Sequence, residues 1–166
     1  MALEAEHSLA PKDAINKFTE LCEGYKKKVL GIDHLNGSHE KMLVINMIEK
    51  YVSVVTGLAR VKWMNEKDYR GVEALMVEAS EFVETAIERI NNPLNGREPI
   101  VNKLLQIIKI NQAHSVYMQD GRHMEAIALY EGIVAENVGL GGNGILACEP
   151  IILANLCVVY ILSKQN

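Results

Sequence analysis

The stretch YMQDGRHMEAIALY, residues 117–130, decides the fold. Asp120 and Gly121 mark a turn between two segments whose apolar residues recur at three and four, as on helices. Gly121 suits the positive φ that closes a helix, and the methyl side chain of Ala126 lets the next helix approach the first closely. Tyr130, one turn beyond Ala126, is the large residue that fills the gap against neighbours. Together with Tyr117 these residues describe a helical hairpin.

Working outward, the same spacing covers almost every long segment, and no stretch alternates strictly as a strand would. A first helix carries Ile15, Phe18, Leu21, Cys22, Tyr25 and Val29 on one face, with Asp13 as the expected cap and an end near Gly31. Turn residues fill 31–37, and Ser38 is the expected cap of a long helix over about 39–65, which would span about 40 Å. After a polar turn at 65–68 a third helix runs through Val72, Leu75, Met76, Ala79, Phe82, Val83, Ala86 and Ile90, until Asn91-Asn92-Pro93 stops it. Residues 91–98 read as a loop. Pro99 opens a fourth helix to about Gln119, and a fifth runs over about 123–136. A glycine loop follows at 139–144, and Pro150 opens a sixth helix through Ser163.

The order of large residue, turn glycine, small residue and aromatic is that of a tetratricopeptide unit. A looser copy lies upstream, with Ala59, Trp63, Tyr69, Val72, Met76 and Ala79 in comparable places. A third begins at Leu153, with Leu156 and Tyr160 in register. Trp63 and Tyr117 lie 54 positions apart and Tyr117 and Tyr160 lie 43 apart, against a usual period of about 34. The turn-rich loops around Pro93 and Gly141 account for the excess. The expected fold is therefore all-α: tetratricopeptide-like hairpins stacked as a segment of an α-solenoid superhelix. Residues 1–38 form an N-terminal helix and turn, and 39–166 form the repeats. The last repeat holds only its first helix, so Ile151, Leu153, Leu156, Val159 and Leu162 are expected to be under-covered, as in a piece of a longer protein.

Composition narrows the function. The 166 residues are 49% apolar, 23% charged and 5% aromatic, which fits a folded domain with a sizeable core. Seventeen basic against 21 acidic residues leave a net charge of -4, so nothing draws the chain broadly to nucleic acid or anionic membrane. Cys22, Cys148 and Cys157 form an odd set without CxxC spacing, and no signal-peptide pattern opens the chain, so a reducing, cytosolic setting is expected. The longest apolar run, 150–162, is too short to cross a bilayer, and no membrane span is expected.

Motifs that carry chemistry fail on context. Gly139, Gly141 and Gly144 match G-x-G-x-x-G, but they follow an amphipathic helix and not a buried strand, so a cofactor is not expected. His7, His34, His39, His114 and His123 form no metal set. Cys148 lacks an orienting histidine and Cys157 reads as a small core residue, leaving no catalytic set. Lys26-Lys27-Lys28 sits on a helix's last turn, where lysines favour the macrodipole.

Function then falls to the side lined by the first helix of each hairpin. The repeat register sends Val61 and Met64, then Asn111, Ser115 and Met118, then Ala154, Val158 and Ile161 toward it. This strip is apolar and lacks the Lys and Arg that clamp an acidic tail, so it suits an extended Pro-rich or hydrophobic segment. The same residues would equally serve to pack neighbouring repeats together. A cytosolic adaptor or co-chaperone capturing peptide tails is the alternative, and an enzyme using the glycine loop or Cys148 is a third.

EAIALYEGIV at 125–134 and PIILANLCVVYILSKQN at 150–166 resemble the intraflagellar transport tetratricopeptide subunit, the tetratricopeptide repeat protein 30 family. Lys50-Tyr51, Ala59-Arg-Val-Lys-Trp63, Asp68-Tyr69, Val72-Glu73 and NQAHSVYMQ at 111–119 extend the resemblance over roughly 41–166. The loops 91–98 and 139–144 are longer than the family's. The resemblance implies a non-enzymatic subunit of complex B in cilia and flagella, with this chain from its C-terminal half. It also implies a superhelix gripping an extended, proline-rich segment of another complex B subunit in the anterograde train.

Overall fold

A computed structural model describes residues 11–32, 37–90, 99–139 and 150–163, and it is all helical apart from turns. The helices are α1 (Pro11–Leu30), α2 (Ser38–Glu66), α3 (Tyr69–Ile90), α4 (Pro99–Tyr117), α5 (His123–Gly139) and α6 (Pro150–Ser163). The loop at 91–98 and most of the glycine loop, including Gly141 and Gly144, lie outside the described residues, as do Cys148, His7 and His34.

Helix starts differ from the expected caps at two places. α1 begins at Pro11, where the missing N–H costs nothing, and Asp13 sits in its first turn as a favourable charge. α2 is capped by Gly37 in an extended conformation (φ −115°, ψ 156°) without a side-chain bond, and Ser38 is already helical. The α2–α3 turn is tight. Lys67 takes the left-handed conformation (φ 52°) and donates its N–H to Trp63 O at 3.2 Å. Asp68 then caps α3, its Oδ1 accepting the Gly71 N–H at 2.9 Å. Hydrogen bonding from Gly71, chiefly, holds the Asp68 carboxyl below its ordinary value. In the α4–α5 turn Gly121 has φ 78°, as the repeat pattern predicts.

Each helix packs on the next, and the alternation builds two layers: α2 also touches α4, and α1 touches α3. Phe18 of α1 lies against Gly57 of α2, where a β-carbon would come within 2.9 Å of the ring. That glycine therefore sets how closely α1 and α2 approach. Phe18, Cys22 and Val29 are buried and Ile15, Leu21 and Tyr25 pack beside them, the face that the spacing predicts. From α3, Arg89 reaches the C-terminus of α1 and donates to the carbonyls of Leu30 at 3.2 Å and Ile32 at 2.8 Å. These groups have no partner within their own helix.

The buried apolar residues form two clusters. The first joins α1, α2 and α3 to the start of α4 through Val101, Leu104, Leu105 and Ile108. The second joins the end of α4, at Ala113 and Val116, to Ala126, Ile127, Tyr130 and Ile133 of α5 and Val159 of α6. Val159 is buried in this second cluster, contrary to expectation, whereas Leu156 packs against it and stays partly open. The side chains of Ile151, Leu153 and Leu162 lie outside the described residues.

By length and composition α2 is apolar enough to cross a membrane, with a mean hydropathy of 1.4 over its best 18 residues. Here protein covers its apolar side: Ile48, Tyr51 and Val55 are fully buried, and the Tyr51 ring meets Phe82 of α3 edge-on at 4.6 Å.

Ala126 and Tyr130 have no exposed surface. Ala126→Leu therefore overpacks the α4–α5 contact and lowers stability by about 1–3 kcal/mol, read as a lower urea midpoint. An unchanged midpoint would refute the close approach at Ala126.

Candidate protein-binding surface

Exposed residues stand on each of α2, α4 and α6. On α4 a stripe steps by three and four through Ile100, Lys103, Ile107, Asn111, His114 and Met118, with Ile100 and Ile107 each 42% exposed. Met64 of α2 is exposed, as are Ala154, Val158 and Ile161 of α6. Six of the eight residues expected on this side are thus at least partly open. Val61 and Ser115 are not. Val61 is buried in the first cluster, and Ser115 is fully buried, its hydroxyl donating to Gln112 O at 2.7 Å. A four-residue step from Asn111 lands on the buried side of α4, whereas the helical spacing back from Met118 leads to the exposed Ile107 and Ile100. Asn111 spends one amide hydrogen on Ile107 O at 2.8 Å, leaving its side-chain oxygen outward.

Where α2 ends and α4 ends, the signature aromatics gather. Trp63 meets Tyr69 edge-on at 6.2 Å and His114 at 4.1 Å. His114 continues to Tyr117 at 6.3 Å, and Tyr117 to His123 at 5.2 Å. Burial lowers the pKa of His114, so the neutral imidazole belongs to the folded stack. Tyr130 is buried beside Asn155 of α6, and burial pushes its phenol up to about 12. Tyr160 is partly open, with its hydroxyl donating to Glu131, so it does not fill a gap as Tyr130 does.

A polar clamp fastens the second hairpin to α3. The Arg122 guanidinium forks onto Glu73, with Nη2 donating to Oε1 at 2.9 Å, and Gln119 Nε2 donates to Oε2 of the same carboxylate at 2.7 Å. Arg122 Nε also donates to Glu125 at 2.8 Å. The Arg122 hydrogen bonds, first of several causes, hold Glu73 below its ordinary value.

Other candidate groups separate. Cys157 is exposed on α6 and is not a core residue, because the helix turns Val159 inward instead. Cys22 is buried, and burial pushes its thiol up to about 11. Of the lysine run, Lys27 and Lys28 are exposed, but Lys26 is tied to Glu23 at 3.3 Å and to Glu78 of α3. No three metal-ligating side chains come together among the described residues.

This architecture defines an all-α solenoid segment of tetratricopeptide-like hairpins. Residues 100–166 match the family described as the intraflagellar transport protein 70 C-terminal domain. Intraflagellar transport protein 70A2 of Rattus norvegicus is 34% identical over 119 residues, covering 72% of this chain and 14% of the relative. Intraflagellar transport protein 70A of Danio rerio is 30% identical over 168 residues, covering 95% of this chain and 22% of the relative. No solved structure matches the chain. The chain belongs to the intraflagellar transport protein 70 family, and it spans 14% to 22% of the length of these two relatives.

Because burial depresses the His114 pKa below its ordinary 6.5, the unfolded chain takes the proton first as pH falls. Its contribution is therefore full above about pH 6.5 and is lost as pH drops through the folded value. The melting temperature should fall between about pH 7 and about pH 5, and less steeply in His114→Phe. Parallel pH profiles for the two proteins would remove His114 from the account.

Proposed function

We propose that this chain is a non-enzymatic scaffold segment of intraflagellar transport complex B, working in the cytoplasm and the cilium or flagellum. On this reading the layer of α2, α4 and α6 holds an extended, proline-rich segment of another complex B subunit within the anterograde train. Membership of the intraflagellar transport protein 70 family supports the setting. The observation that carries the surface is its open apolar stripe: Met64 is 74% exposed and Ile161 59%. Methionines adapt to what lies on them, and a preformed polyproline segment loses little entropy on docking. Capture of an acidic tail is less well served. Lys103 is the cation on the α4 stripe, and one Asn111 amide hydrogen is already used.

The test is capture by the tagged full-length parent in flagellated cells, with mass spectrometry of what accompanies it. Paired with that, Ile107→Asp and Met118→Asp change exposed residues and should leave helicity by circular dichroism unchanged while reducing capture of other transport subunits by about tenfold or more. Undiminished capture by both variants would sink the assignment of this face.

A further inference from the structure

The opposite layer carries a different chemistry. α1, α3 and α5 together hold eleven acidic residues and seven basic ones, the acids concentrated on α3 and α5, whereas α2, α4 and α6 together hold six basic and three acidic. Along α3 runs an open groove of about 410 Å³ whose floor is Ala74 and Val77 and whose rim is Glu78 and Glu81. The Glu73–Arg122 clamp closes one end, near Arg70. Val77 is 38% exposed. Glu81 makes no hydrogen bond or ion pair among the described residues, and Glu78 engages Lys26 through one oxygen only.

We infer that this groove is a second docking site, separate from the α2, α4 and α6 face, for a protein segment in which lysine or arginine flanks an apolar side chain. The apolar side chain would rest on Ala74 and Val77. Its basic neighbour would meet Glu78 and Glu81, where the carboxylates have acceptor oxygens to spare. Arg70 lies eleven residues before Glu81 on α3, about 16 Å along the helix. The groove is therefore cationic at one end and anionic at the other, and it fixes the direction in which such a segment lies. Charge complementarity of this kind sets partner choice and encounter rate more than raw affinity, so binding should weaken as salt rises.

The test is fluorescence anisotropy with the full 166-residue chain and a short labelled peptide of lysines around a single leucine, beside its glutamate-for-lysine counterpart. The chain should bind the lysine peptide and not the counterpart. Val77→Ser and Glu81→Lys alter exposed side chains and should each weaken binding about tenfold, while Glu49→Lys, the same charge change on α2, should weaken it less than about twofold. Circular dichroism melts establish that each variant folds, and Glu81→Lys decides alone if Val77→Ser does not. Equal binding of the two peptides, or equal weakening by Glu49→Lys and Glu81→Lys, would overturn the proposal, since the attraction would then be diffuse charge and not the groove.

Discussion

α4 has to serve two apolar clusters at once, and the rest of the architecture follows from that. Its first half gives Val101, Leu104, Leu105 and Ile108 to the α1–α3 cluster, and its second half gives Ala113 and Val116 to the α5–α6 cluster. A helix of 3.6 residues per turn that is buried against neighbours on most sides has one narrow stripe left. That stripe is where Ile100, Ile107 and Met118 stand exposed. The open apolar face is thus the residue of the packing problem, with its side chains aimed in a single direction by the same spacing that buries the others. A charge or a break at Ile108 or Val116 would disturb the cores before it reached the surface.

The seam between α3 and α5 is held differently. Instead of interlocking apolar side chains, the Arg122 fork on Glu73, reinforced by Gln119, ties the α4–α5 turn to the start of α3. Arg122 and Glu73 are part-buried, with side-chain exposures of 30% and 20%, so the attraction between them is set against the lost solvation of both ions. Their geometry is demanding, however, since a planar guanidinium meets a carboxylate in one orientation. The clamp therefore sets the register of one hairpin on the next, while Gly57 and Ala126 set the closeness of the helices within each contact. Spacing and register are controlled by separate residues.

Sequence spacing finds what depends on local rules. Prolines at 99 and 150 open helices, and Gly121 takes the positive φ that its turn requires. The Phe18, Cys22 and Val29 face is buried as the three-and-four period demands. Properties set by neighbours are harder to see. Gly37 caps α2 although Ser38 offers a hydroxyl, because the chain enters the helix one residue earlier than the side chain could serve. Val61, Ser115 and Cys157 are each on a helix correctly placed by the sequence but on the wrong side of it, since a shift of a single position rotates a residue by about 100°. The Glu73–Arg122 pair spans 49 positions, and no periodicity connects them.

α3 and α5 carry most of the acidic residues of the described helices. A face that leaves Met64, Ile107, Val158 and Ile161 open is prone to stick to its own copies unless the molecule repels them elsewhere. The acidic residues of α3 and α5 lie in the other layer, so repulsion between copies does not oppose an apolar segment arriving at the open stripe. Placing acids on α4 instead would guard against self-association and block the same contact. Segregating them to α3 and α5 leaves the exposed apolar residues of α4 and α6 without acidic neighbours on their own helices.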